Sequence, residues 1–216
     1  MTNRKFVPHL IYFTVILAAW IGAWVLQLAL TDYFELFRNE WATFLYWFIA
    51  RIFIWILPAF WILKKYNKKL KNVLRVQTLK HTLVWGLGIG GIFLALNIGY
   101  RIIHSNWSIL GDRPLLSFID FVILAPFFEE FLMRGAILST LKQKFSFLKA
   151  NTITALLFVL LHCPGWYFTG VLQLNFLHPL TGALAIFIIG FMCGMAAERG
   201  KSLYSAMIVH MLNNIV

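Results

Sequence analysis

The sequence predicts an all-α protein, a polytopic bundle of about seven to eight transmembrane helices forming one integral-membrane domain over residues 1–216. Three observations predict it. Apolar residues make up 61% of the chain and charged residues only 12%, against roughly half and a quarter in ordinary soluble domains. Mean hydropathy is +0.78. The apolar residues are gathered into seven runs, at about 9–30, 41–63, 82–103, 115–141, 151–170, 178–197 and 202–216. Most approach the ~20 residues that cross a hydrocarbon core.

The first run is too long and too aromatic for a signal-peptide core, so it is expected to stay as a helix. The second and third flank "KKYNKKLKNVLRVQTLK", residues 64–80. That loop reads either as a solvated basic loop or, with Leu70, Val73, Leu74 and Leu79 among its lysines, as a short amphipathic helix on the membrane surface. The third run carries Gly86 and Gly90, and the sixth Gly190 and Gly194. Small residues four apart let helix backbones approach closely. "GLGIGG" has the wrong spacing for a dinucleotide fingerprint and follows no strand. The fifth run is expected to break at Pro164–Gly165, leaving a re-entrant or interfacial segment over 164–178. The last run is about 15 residues long, roughly 22 Å as a helix, which is short for a full crossing.

Loop charge sets an expected orientation. Arg4, Lys5, Lys64, Lys65, Lys68, Lys69, Lys71, Arg75, Lys80, Lys142, Lys144, Lys149, Arg199 and Lys201 fall on one side of a seven-crossing topology; Arg38, Arg101 and Arg113 fall on the other. Cytoplasmic loops hold the excess of Lys and Arg, so the N-terminus is expected inside. The net charge of +11 is therefore assigned to anionic lipid headgroups and not to nucleic acid. Cys163 and Cys193 lie in apolar runs without a CxxC pair and read as packing residues.

Ionisable residues inside a membrane are costly, and are commonly paired or turned toward a functional cavity. "PFFEEFLMRGAIL", residues 126–138, puts Glu129, Glu130 and Arg134 in the fourth run; His162 lies in the fifth, and His210, Asn213 and Asn214 in the last. Measured from the lysine-rich end, these groups sit at comparable depth, which predicts one shared polar cavity open toward that end. Glu130 and Arg134 are i, i+4 neighbours able to pair. Glu129 is rotated by about 100° and left to face the cavity. Phe158 precedes His162 by one turn and is placed to floor the same site. His210 and Asn214 stack, with Asn213 pointing elsewhere, and Pro126 is placed to kink the fourth helix.

A carboxylate withdrawn from water, imidazoles and an amide suit proton transfer and oxyanion stabilisation during addition of water to a carbonyl. No GxSxG or HExxH pattern is present. Zinc held by Glu129, His162 and His210 remains open on residue types alone. So do a non-catalytic scaffold and an ion or proton carrier.

Three patterns in order carry a resemblance: "EEFLMR" (129–134) as EExxxR, "FVLLH" (158–162) as FxxxH, and "HMLNN" (210–214) as HxxxN. Together they resemble the CPBP family, which comprises the type II CAAX prenyl endopeptidases and the bacterial Abi, or bacteriocin-immunity, membrane proteases. The resemblance implies a glutamate-dependent intramembrane endopeptidase with no cofactor and no bound metal, its catalytic helices within 115–216. Glu129 and His162 would activate water, His210 and Asn214 would stabilise the oxyanion, and Glu130, Arg134 and Phe158 would support them. It implies a membrane-associated peptide or protein as substrate. The Lys- and Phe-rich composition suggests a bacterial cell membrane, and a non-catalytic bacteriocin-immunity role is the alternative. Family members commonly have about eight helices, one more than the runs counted here.

Overall fold

The computed structural model describes residues 7–74, 76, 79–104, 114–178 and 182–215. Arg4, Lys5, Arg75 and Arg113, counted above for orientation, lie outside these residues. Seven long helices carry the fold: α1 (Val7–Tyr33), α2 (Glu40–Lys65), α3 (Leu79–Ile103), α4 (115–141), α5 (Phe147–Phe168), α6 (Ala183–Gly200) and α7 (Leu203–Asn214). Each coincides with one apolar run. No strand occurs among the described residues. α1, α2, α3, α5 and α6 are long and apolar enough to cross a membrane by length and composition.

The helix ends follow local chemistry. The Asn39 side chain accepts the Trp41 N–H at 2.8 Å and starts α2, and Ser202 accepts that of Tyr204 at 3.2 Å and starts α7. These bonds satisfy donors that the first turn leaves free. Lys201 adopts the left-handed conformation (φ 51°) where α6 ends and the chain turns into α7.

Two helices contain wide π-helical turns, at Ile52–Ile56 in α2 and at Ile119–Leu124 and Phe131–Leu138 in α4. Pro58 and Pro126 each lie within two residues of the π turn that precedes them. Such turns re-route the bonds a proline cannot donate, so α4 remains continuous through Pro126. The expected break at Pro164–Gly165 is absent. Pro164 lies inside α5, which runs on to Phe168 and ends at Gly170 (φ +74°). The proline removes one backbone donor, but α5 is clamped between α1 and α6, and that packing outweighs the loss. A short helix, Leu172–Leu177, then leads back toward α6, in keeping with a segment that turns back without crossing.

α4 is the hub. Every residue from Phe131 to Leu138 is buried, the signature of a helix surrounded on all sides. Its side chains form the core with Phe13, Ile16 and Trp20 of α1, Trp55 and Ile62 of α2, and Phe158 of α5. α7 packs along α3 and α6, and glycines make this possible. A Cβ added at Gly90 would come within 2.8 Å of Leu212 Cδ1 and 3.1 Å of the Val209 backbone; one at Gly86 would meet Ile208 at 3.1 Å. Between α2 and α3, among the described residues, Leu70–Val73 is helical, and Val73 and Leu74 turn onto the core. Their apolar surface is covered mainly by the bundle.

Candidate active site

One helical step separates two carboxylates with different surroundings. Glu130 points into the bundle and is fully buried. Its Oε1 accepts from Arg134 Nη1 at 3.0 Å and from His210 Nδ1 at 2.9 Å. Arg134 Nη2 donates to the Gly190 carbonyl, and the guanidinium lies 4.7 Å from the Phe158 ring centroid. The approach depends on Gly190, where a Cβ would stand 3.1 Å from Arg134 Nη2 and 3.0 Å from Phe158 Cδ1. Three helices are thereby tied by one charge pair: α4 through Glu130 and Arg134, α6 through Gly190, α7 through His210.

Glu129 instead lines a cavity of about 820 Å³. Its Oε2 makes no hydrogen bond among the described residues and stands 4.0 Å from His210 Nε2. Phe158 forms part of the cavity floor and meets both imidazoles edge-on, with centroids 4.7 Å from His162 and 5.7 Å from His210. His162 Nδ1 bonds the Phe158 carbonyl at 2.8 Å. A carbonyl only accepts, so Nδ1 carries the proton and Nε2 is left available. The same logic applies to His210, whose Nδ1 donates to Glu130.

Asn214 lines the cavity, and its amide donates to the Phe121 carbonyl at 3.0 Å. Asn213, expected to point elsewhere, lines the cavity as well. Its amide donates to Asn214 Oδ1 at 3.0 Å, and Asn97 Nδ2 donates to its carbonyl at 2.9 Å. The structure therefore gathers Glu129, His162, His210 and Asn214 on one wall system, with Phe158 as floor and Glu130 and Arg134 packed beneath.

The cavity opens at the end opposite to the one expected from sequence. Its walls climb from Glu129 to Phe121 on α4, from His162 to Trp166 on α5, and reach His104 at the far end of α3, all away from the lysine-rich loops. The intervals counted along the helices fix how deep the groups lie but not which half of the bundle is filled. Leu132, Met133, Leu141, Asn151 and Val209 fill the lysine-rich half.

Sequence reasoning missed several wall residues. Arg51 of α2 makes a two-pronged ion pair with Asp120 of α4; Arg51 borders one π turn and Asp120 lies within another. The signal was present: two opposite charges within apolar runs. Asn97 and the indoles of Trp20, Trp24 and Trp55 also line the cavity; nothing in their local sequence separates them from ordinary helix residues.

The zinc alternative does not fit. Among the described residues, the carboxylate, thiol and imidazole group whose donor atoms lie within 4.8 Å of one another is Glu130, Cys193 and His210, not Glu129, His162 and His210. Arg134 already neutralises Glu130, and the Cys193 thiol faces the Ala206 carbonyl at 3.7 Å. A divalent cation there would lie against a guanidinium.

Residues 111–216 match the family described as type II CAAX prenyl endopeptidase Rce1-like. No curated protein and no solved structure matches the chain.

Proposed function

For a chain that belongs, through residues 111–216, to the type II CAAX prenyl endopeptidase Rce1-like family, we propose hydrolysis of a peptide bond within the membrane by water that Glu129 activates. The protein is an integral-membrane member of a protease family; the glutamate-driven chemistry is our reading. The observation that carries it is the contrast between the two carboxylates: each has a buried Oε2 without a hydrogen bond among the described residues, but Glu130 is committed through Oε1 to Arg134 and His210 away from the cavity, while Glu129 lines it.

A water with hydrogen bonds of about 2.8 Å to both Glu129 Oε2 and His210 Nε2 closes a triangle over their 4.0 Å separation. Its oxygen attacks the substrate carbonyl carbon as one proton passes to the Glu129 carboxylate. The carbonyl π electrons move onto oxygen. Collapse of the tetrahedral adduct breaks the C–N bond, and Glu129 returns the proton to the leaving amine. His162 Nε2 is positioned to orient the water from the second wall. The Asn214 amide, on the cavity wall, is the group we assign to the oxyanion. With Nδ1 donating to Glu130, the neutral His210 ring presents Nε2 as an acceptor. Hydrolysis by this route requires a peptide that reaches membrane depth, hence a membrane-associated peptide or protein as substrate.

The test is a cleavage assay of Glu129→Gln beside the wild-type chain, on a membrane-inserted peptide. Loss of a general base lowers turnover by about 10²–10⁴-fold while the melting temperature stays near wild type. A variant that retains full turnover defeats the mechanism and favours a binding role for the same helices.

A further inference from the structure

The cavity is closed at one end. Below its floor, toward the lysine-rich loops, Glu130, Thr154, Ala155, Cys193 and Ala206 have 0% exposure. Above the floor, the walls run out to His104, where α3 ends. Most basic residues of the described loops sit at the sealed end: Lys64, Lys65 and Lys80 flank the α2–α3 loop, Lys142 and Lys144 join α4 to α5, and Lys201 joins α6 to α7, against Arg38 and Arg101 at the open end. The two asymmetries are independent, one of packing and one of charge, and they point to opposite faces.

We propose that substrate reaches Glu129 from the extracytoplasmic side. Loops rich in Lys and Arg remain on the cytoplasmic side when short helices insert, and the filled half of the bundle bars that approach. The substrate class is then a peptide already carried into the outer half of the membrane or across it. Indoles of Trp20, Trp24 and Trp55 along the wall suit an apolar segment of such a peptide. The word substrate rests on the hydrolytic reading above; the sidedness of the cavity does not.

Thiol accessibility in intact cells tests it without an activity readout. Ala125→Cys places a thiol on the cavity wall one turn from Glu129, Tyr100→Cys one at the rim, and Lys142→Cys one at the sealed end. The probe is a small, charged, membrane-impermeant methanethiosulfonate, with the wild-type chain and its own Cys163 and Cys193 as background. We expect modification of Ala125→Cys and Tyr100→Cys in intact cells, and of Lys142→Cys only after permeabilisation. Modification of Lys142→Cys from outside, with the other two protected, overturns the proposal. So does modification of Tyr100→Cys alone, which would show that the outer face does not lead to Glu129. Either failure leaves the Glu129→Gln cleavage result standing, and an inactive but correctly labelled protein would overturn the hydrolytic reading instead.

Discussion

Glu129 and Glu130 are neighbours in sequence, yet a change of charge at each should do different harm. Glu130 is held by Arg134 and His210 with no exposed surface. Glu130→Gln leaves the guanidinium of Arg134 buried with its main counter-charge gone. Breaking a buried pair from one side costs about 3–5 kcal/mol, so this variant should express poorly and melt well below wild type in detergent, as read by thermal denaturation of the purified protein. Its lost activity should track its lost folded fraction, whereas Glu129→Gln should be folded and inactive. A Glu130→Gln protein that melts like wild type would remove the structural role assigned here. The pairing of residues 130 and 134 was legible in the sequence because helix geometry fixes the i, i+4 relation. The third partner, His210, was not, since it comes from a helix 80 residues away.

Elements that read as apolar runs in the sequence became seven helices because a stretch of about 20 apolar residues has few other outcomes in lipid. What the runs concealed is how the helices accommodate proline. Pro58 and Pro126 follow π turns and Pro164 sits inside α5, where local propensity alone argued for a break. Close packing of α3 on α7 was legible from Gly86 and Gly90, and it has a built-in control. Gly88 has nothing within 4 Å of an added Cβ, while at Gly90 a Cβ would press on Leu212 and the Val209 backbone. Gly90→Ala should therefore destabilise the protein by about 1–3 kcal/mol, the usual cost of overpacking, and Gly88→Ala should be near neutral. Because α7 carries His210 and Asn214, Gly90→Ala should also reduce turnover more than Gly88→Ala. Equal melting temperatures for the two variants would show that α7 is not seated on α3 through this face.

Across the whole molecule, one half of the bundle is filled and the other is hollow. That division was the least legible feature, because it depends on which large side chains from α4, α5 and α7 happen to converge, and single-helix periodicity carries no such information. Comparable counts of residues from the helix ends were consistent with a cavity facing either way. The helices also start at different points from those expected: α5 begins at Phe147, so His162 lies further along it than the run beginning near residue 151 implied. The division predicts opposite responses to the same substitution. Ala185 of α6 lines the cavity of about 820 Å³, so Ala185→Trp has space to enter. It should leave the melting temperature nearly unchanged and block hydrolysis by filling the path to Glu129. Ala206 of α7 has 0% exposure in the filled half, with no room for an indole. Ala206→Trp must move backbone or neighbouring side chains, at a cost at the upper end of the 1–3 kcal/mol typical of overpacking or beyond it, and should fail to yield folded protein. Melting curves and cleavage rates measured on both variants decide the matter. An Ala185→Trp protein as unstable as Ala206→Trp would mean that the outer half is packed as tightly as the inner half. Full activity in Ala185→Trp would mean that substrate does not pass the α6 wall on its way to Glu129.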